Sequence, residues 1–164
     1  MNAKFWLLAA LIFALGVSSC GRKGSRLESY GLRSFEIQMS PEHEGEMRSG
    51  ESLHLELPAR VIVEGNKYVI KLRPAGLSTL VLPKKSLELE FQEEKFEGAD
   101  EVRLSATAAD YSMLRAPLSL EVFKAAGLPV SKWEFVTVYL NGRYLGLYLK
   151  IEKVSGSFFK KRKI

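Results

Sequence analysis

The run Leu128–Glu152, LPVSKWEFVTVYLNGRYLGLYLKIE, carries the strongest structural signal in this chain. Two stretches rich in apolar residues, Trp133–Leu140 and Arg143–Val154, flank the dipeptide Asn141-Gly142. Asn-Gly favours a two-residue turn of type I′, because both central residues of that turn need a positive φ. The sequence therefore predicts an antiparallel β-hairpin with its turn at Asn141-Gly142.

Upstream of this hairpin, several short stretches show the alternation of apolar and polar residues that is typical of strands. A second hairpin is predicted around Gly65-Asn66, between two such stretches. The predicted upstream strands are Phe35–Met39, Ser52–Leu57, Arg60–Glu64, Lys67–Leu72 and Lys85–Phe91.

One helix is predicted between Asp110, whose carboxylate can cap it, and Gly127, which can end it. Pro117 is tolerated in a first helical turn, so the helix is expected to begin near Leu118. Apolar residues recur at helical spacing as Leu114, Leu118, Val122, Ala125 and Ala126. These patterns together predict an α+β fold, a mostly antiparallel sheet with one main helix packed on it.

The N-terminus has the features of a secretory signal. Lys4 precedes the apolar run Phe5–Val17, which is too short for a membrane-spanning helix of about 20 residues. The sequence VSSC then ends in Cys20 and resembles a bacterial lipobox, in which the cysteine is acylated. An ordinary signal peptide or a membrane anchor with an incidental cysteine is the alternative.

These features divide the chain into four predicted parts. They are a lipoprotein signal peptide at 1–19, a tether rich in glycine, serine and basic residues at 20–34, a domain at 35–154, and a basic tail at 155–164. The expected location is the bacterial cell envelope, with a lipid on Cys20 holding the protein to the membrane, and to the outer membrane if the cell has two.

Composition and charge argue against several functional classes. The 164 residues are 46% hydrophobic and 26% charged, and the formal net charge is +5. Basic and acidic residues are mixed along the chain, except in the basic run at 158–164, so no nucleic-acid partner is expected. His43 and His54 are the only histidines, and no metal-ligand spacing, catalytic triad or glycine-rich phosphate loop occurs in the sequence. We therefore predict no catalytic residue and no metal ligand.

Four motifs in order point to a family. PKKS at 83–86, DYSMLR at 110–115, AGLP at 126–129 and NGRYLGLYLKIE at 141–152 together resemble the spore-coat CotH kinase-like family. That family is a divergent branch of the protein-kinase fold. The resemblance implies that the predicted sheet and helix are kinase N-lobe-like, and it covers the N-terminal portion of such a fold only.

The resemblance also implies four nucleotide-binding residues. By strand parity, Lys85 shares the apolar face of Lys85–Phe91, where it either contacts phosphate or extends to water. Glu121 either pairs with Lys85 or is an exposed helix residue. Arg115 either binds phosphate or pairs with Asp110. Glu152 lies either at a kinase-like hinge or in a cross-strand ion pair.

In a kinase-like fold the base and the metal-binding aspartates follow the hinge, and this chain ends soon after Glu152. We therefore expect a lipid-anchored protein that is inactive alone and uses ATP and a divalent metal only with a complementary C-lobe. The expected partners are the membrane and a separately encoded C-lobe or an envelope protein. The alternative is a non-catalytic binding module tethered to the surface.

Overall fold

The computed structural model describes residues 30–49, 55–76 and 82–164. The predicted signal peptide, Cys20 and most of the predicted tether lie outside these ranges, as does the first half of the predicted strand Ser52–Leu57. No helix within the described ranges is both long and apolar enough to cross a membrane.

Seven strands and three helices occur in the described ranges. The strands are β1 (Arg33–Gln38), β2 (Leu57–Val63), β3 (Asn66–Ala75), β4 (Ser86–Phe91), β5 (Glu101–Ser105), β6 (Trp133–Leu140) and β7 (Arg143–Glu152). The helices are α1 (Pro41–Ser49), α2 (Arg115–Ala125) and α3 (Gly156–Arg162). The sequence patterns did not predict β5, α1 or α3, which are all short.

The strands form a closed barrel in the order β1-β2-β3-β4-β5-β7-β6. Neighbouring strands are antiparallel except at the closure, where β1 runs parallel to β6 with Phe35 opposite Val138. The predicted kinase N-lobe-like α+β fold, a mostly antiparallel sheet with one main helix packed on it, is therefore wrong. Pairing between β1 and β6 joins segments about a hundred residues apart, and local alternation carries no information about such a contact.

The C-terminal hairpin is confirmed. Asn141 and Gly142 adopt φ values of 48° and 78°, which the predicted type I′ turn requires. The β2–β3 hairpin is also confirmed, but its turn lies one residue earlier than predicted. Glu64 and Gly65 occupy the positive-φ positions there, at 52° and 84°.

The barrel interior is filled by alternate side chains from every strand, so it forms the core. Its members include Phe35, Ile37, Val61, Leu72, Leu89, Leu104, Val136 and Tyr148. Phe96, from the β4–β5 connection, closes one end of this core and is 4% exposed. Its ring is stacked on Phe91 at 5.4 Å between centroids and lies edge-on to Phe35 and Tyr68. The aromatic contacts separate the apolar interior from the surface at that end.

Helix α2 does not pack against the sheet as the sequence predicted. Its apolar positions Leu118 and Val122 are 61% and 66% exposed, and Phe123 is 51% exposed. Pro117 is the buried residue of this helix. Gly127 has a φ of +78° and follows the last turn, as the sequence predicted. The apolar stripe is therefore present in the sequence but is not part of the core.

Candidate functional site

The interior of the barrel changes from apolar to charged at the end closed by Phe96. On β7 the inward side chains run Tyr148, Lys150, Glu152, and all three are buried. On β6 the inward Val136 is followed, toward the same end, by Glu134, which lies opposite Lys150. Strand alternation places these charges on the core side of the sheet, so a cluster of ions lies directly above the apolar interior.

Lys150 is the centre of this cluster and is 6% exposed. Its amine donates to Glu134 Oε1 and, at 2.7 Å, to Glu97 Oε2. The same amine lies 5.0 Å from the centroid of the Phe96 ring. Burying a lysine is costly unless it is paired and hydrogen-bonded, and here two carboxylates and an aromatic face supply the partners.

Arg33 joins the same carboxylates from the start of β1. Its guanidinium donates to Glu97 Oε1 and lies 3.4 Å from Glu134 Oε1. The hydrogen bond to Glu97 raises the pKa of Arg33 above its ordinary value. Burial opposes ionisation of Glu97, but hydrogen bonds from Arg33 and Lys150 outweigh it and hold the pKa of Glu97 below its usual range. Arg33 and Glu97 are therefore both charged at neutral pH.

Glu152 forms a second ion cluster at the same end. Its Oε2 accepts a hydrogen bond of 2.7 Å from Arg162 of α3 and one of 3.2 Å from the backbone N–H of Lys132. Lys161 lies 3.6 Å from its other oxygen. Burial opposes ionisation of Glu152, but the bonds from Arg162 and Lys132 lower its pKa. These contacts also fix α3 against the barrel, because Arg162 donates to the Val130 carbonyl at 2.7 Å.

A cleft of about 390 Å³ opens between the two ion clusters; we call it the charged cleft. Three glutamates, three lysines and two aromatic residues contribute to its walls. Its lining residues are Phe96, Glu97, Ala99, Val102, Lys132, Trp133, Glu134, Lys150, Glu152 and Lys161. The balance of charges and the aromatic surface fit a ligand that carries groups of both signs beside an apolar or planar part.

Trp133 connects the charged cleft to α2. Its indole N–H donates to Glu121 Oε1 at 3.1 Å, and the second oxygen of Glu121 lies 3.4 Å from Lys124. Two of the residues singled out from the sequence, Glu121 and Glu152, are thus brought to the same side of the barrel. The link between them runs through Trp133 and the neighbouring Lys132.

Two lysines lie toward the opposite end of the barrel. The Lys84 amine donates to the carbonyls of Ala106, at 3.2 Å, and Leu147, and it lies 4.4 Å from the centroid of the Tyr148 ring. Burial lowers the pKa of Lys84. The carbonyl of Lys85 accepts a 3.1 Å hydrogen bond from the Tyr148 hydroxyl, whose pKa burial raises to about 12.

Of these two lysines, Lys84 is therefore the one whose amine is directed into the protein and bonds backbone carbonyls. Strand β4 begins at Ser86, so the alternation used to orient Lys85 does not extend to the residues before it. Leu147 and Glu152 lie about 17 Å apart along β7 at a rise of about 3.4 Å per residue. The structure consequently does not bring Lys84 or Lys85 together with Glu152.

Arg115 is the first residue of α2, and its side chain is 82% exposed. Asp110 Oδ2 accepts the backbone N–H of Arg115 at 2.9 Å, and the Arg115 Nε lies 3.7 Å from Oδ1. Arg115 thus lies at the start of α2, where the carboxylate of Asp110 accepts the backbone N–H of the first helical residue. Within the described ranges, no three histidine, cysteine, aspartate or glutamate residues group as a metal site.

Comparison with known proteins gives the family. The family model described as CotH kinase protein matches residues 72–164, more than half of the chain. The chain belongs to the CotH kinase protein family. Within that match lie both ion clusters apart from Arg33, together with Lys84, Lys85 and α2, so most of the charged cleft comes from the family segment. The resemblance inferred from the four sequence motifs is confirmed.

A curated relative agrees with this assignment. The chain is similar to the inner spore coat protein H of Bacillus subtilis (strain 168), with 35% identity over 109 residues. The aligned part is 66% of this chain and 30% of the relative. The chain therefore matches about a third of the length of that protein.

Sequence reasoning missed the most buried ion of the CotH-family segment. Lys150 follows the same alternation as Glu152, so the sequence did contain a signal for an inward lysine on β7. No such signal in the sequence indicated its partner Glu97, because Glu97 lies in the tight β4–β5 connection. There Glu97 and Gly98 adopt φ values of 52° and 74°, which direct the chain back over the barrel end.

Proposed function

We propose that this CotH-family chain is an envelope or coat protein, anchored by a lipid on Cys20, whose barrel binds a partner protein in the charged cleft. The family match and the name of the curated relative, an inner spore coat protein, support the location. The VSSC sequence supports the anchor. The charged cleft is the observation that carries the binding role.

Buried charges are the reason for assigning function to this end of the barrel. An ion pair in a protein interior is seldom more stable than apolar residues of the same volume, so a buried network is a poor way to stabilise a fold. Lys150 and Glu152 nevertheless replace the apolar residues that alternation would place next on β7. Such arrangements are concentrated at functional sites.

The chemistry of the cleft suggests the class of ligand. Three lysines and three glutamates line it, so its formal charge is balanced, and Trp133 adds an aromatic wall. A peptide segment with an acidic side chain, a basic side chain and an apolar residue complements all of these features. A ligand that carries only phosphate groups would meet the carboxylates of Glu97, Glu134 and Glu152.

A peptide array tests this role. Overlapping 12-residue peptides from the envelope and coat proteins of the host are probed with the chain from residue 20 onward, which is the form that lipoprotein processing would leave. We expect a small set of mixed-charge peptides to bind, and Lys132→Glu to weaken them at least about tenfold. Lys67→Glu, on the exposed β2–β3 hairpin, is the matched control. Equal binding by both variants would refute the assignment.

The lipid anchor has its own test. Cys20→Ser is expected to abolish incorporation of a fatty-acid probe and to leave the precursor unprocessed. Unchanged labelling of this variant would show that Cys20 carries no lipid.

We further propose that the described barrel transfers no phosphate by itself. The support is geometric: Lys85 and Glu152 lie toward opposite ends of the barrel, while Glu121 and Arg115 are held by Trp133 and Asp110. Labelled ATP and a divalent metal are incubated with the protein and a hydroxyl-rich acceptor. Phosphate incorporation that survives repurification would contradict this proposal.

A nucleotide-binding role is the second candidate, favoured by the family description and by Lys84. In that case the PKKS lysines contact the phosphates, and a partner protein supplies the metal-binding acids. ATP binding measured with and without such a partner, in wild type, Lys84→Ala and Lys85→Ala, distinguishes this from the peptide-binding role. Micromolar ATP binding that either substitution abolishes would favour the nucleotide-binding role.

A further inference from the structure

The exposed apolar positions of α2 lie on the same side of the barrel as α3. Glu121 of α2 contacts Trp133 at the start of β6, and the neighbouring Lys132 contacts Glu152. Glu152 in turn binds Arg162 of α3. Helices α2 and α3 and the segment 126–132 between α2 and β6 therefore lie on one side of the barrel, and we call their exposed surface the α2–α3 face.

This face combines apolar and basic side chains. Leu118 and Val122 are more than 60% exposed, Leu128 is 53% exposed and Phe159 is 43% exposed. A helix of 11 residues is marginal in water unless an apolar side packs against something. Within the described part of the chain, Leu118, Val122 and Phe123 of α2 remain more than half exposed, so an external surface can cover them.

The net charge of the segments that contribute the α2–α3 face indicates which kind of surface covers its apolar side chains. The segments 115–132 and 156–164, which contribute this face, contain seven lysines and arginines against one glutamate, a net charge of +6. The described residues before Arg115 have ten basic side chains against fourteen acidic ones, a net charge of −4. Lys124, Lys160 and Lys163 are exposed on α2 and at α3. Positive charge is thus concentrated on the portion of the chain that also exposes the apolar residues.

We infer that the α2–α3 face docks on a bilayer that contains anionic phospholipid. Apolar side chains that enter the acyl boundary beside lysines that meet the headgroups are typical of interfacial helices. The inference deepens the proposed lipid anchor, because a lipid on Cys20 would hold this face within reach of the membrane. It also assigns a second contact that does not itself require the lipid.

Vesicle binding by the chain from residue 20 onward, with Cys20→Ser so that no acyl group contributes, tests this inference. The vesicles are equal parts phosphatidylglycerol and phosphatidylcholine, or phosphatidylcholine alone. Binding is followed by co-sedimentation and by the emission of Trp133. The only other tryptophan of the chain, Trp6, precedes residue 20, so the signal reports on the residue that contacts α2.

The charge variant is Lys124→Gln/Lys160→Gln/Lys163→Gln. Each basic residue near an anionic surface is worth about fivefold in affinity, so the triple variant is expected to bind phosphatidylglycerol vesicles about 100-fold more weakly. Its control is Arg60→Gln/Lys67→Gln, on the β2–β3 hairpin across the barrel, with an expected change below about twofold per residue.

The apolar variant is Leu118→Gln/Val122→Gln, and we expect it to lose at least about tenfold in binding. Because both side chains are mostly exposed, the fold is expected to persist, which circular dichroism checks. Val69→Gln, at an exposed position on β3, is the matched control.

Three results would overturn the inference: no binding of the wild type to phosphatidylglycerol vesicles, equal losses in control and test variants, or equal binding to both vesicle types. A wild type that elutes as a dimer, with Leu118→Gln/Val122→Gln monomeric, would also overturn it by showing that a second copy covers α2. Fatty-acid labelling of Cys20 is measured separately, so failure of the anchor and failure of the docking face are distinguishable.

Discussion

Replacing Lys150 with methionine removes the centre of the buried ion network while keeping a side chain of similar length. In wild type the amine contacts Glu97 and Glu134 and lies over the Phe96 ring. In Lys150→Met two carboxylates remain near each other, and Arg33 is the cation that the described part of the chain still places beside both of them. The apolar stem of the residue is largely retained, so the loss of packing is small.

The expected cost follows from how far each partner is exposed. Removing one member of a fully buried ion pair costs about 3–5 kcal/mol of folding free energy. The Lys150 side chain is 7% exposed, but those of Glu97 and Glu134 are 47% and 34% exposed. Water can therefore solvate the remaining carboxylates in part, which reduces the expected cost to about 2–3 kcal/mol.

Urea unfolding at pH 7, followed by Trp133 fluorescence, measures this change. Lys153→Met is the matched control, because Lys153 pairs with Glu101 and Glu88 at a more exposed position and is expected to cost less than about 1 kcal/mol. The double variant Lys150→Met/Glu134→Leu is expected to recover stability relative to Lys150→Met. A Lys150→Met protein as stable as wild type would refute the assignment of a buried, mutually dependent network.

Three further predictions concern the fold. Folding lowers the pKa values of Glu97 and Glu152, so the unfolded chain binds more protons than the folded protein in acid. The urea midpoint is therefore expected to be independent of pH above about pH 4.3 and to fall below that pH, and a midpoint that stays constant down to pH 3 would contradict this. Asn141→Val/Gly142→Val places β-branched residues at positive φ and is expected to cost about 1–3 kcal/mol, with an unchanged melting temperature as the contrary result. Phe96→Ala removes a ring in contact with three others and is expected to cost about 3–5 kcal/mol in urea unfolding, whereas a cost below about 1 kcal/mol would show that another group closes the core.

The candidate site was only partly predictable. Glu152 and Glu121 were singled out from the sequence and lie on one side of the barrel, connected through Trp133. Lys150 was overlooked, although its alternation with Glu152 marks it as inward-facing. Glu97 reaches the same cleft from a turn elsewhere in the chain, and no local pattern indicates which strand end a turn will cover.

The sequence by itself determined the local elements. Asn141-Gly142 specified a hairpin because few other residues adopt positive φ at both positions, and Gly127 specified the end of α2 for the same reason. The four CotH motifs identified the family because they depend only on residue identity and order.

Only the tertiary structure decided how these elements assemble. Closure of the barrel depends on the parallel pairing of β1 with β6, and burial of α2 depends on whether any surface meets its apolar positions. An apolar stripe has the same pattern whether it faces a core, a bilayer or another protein. Periodicity therefore predicted which residues of α2 share a face, whereas contacts between distant segments determined that this face is exposed.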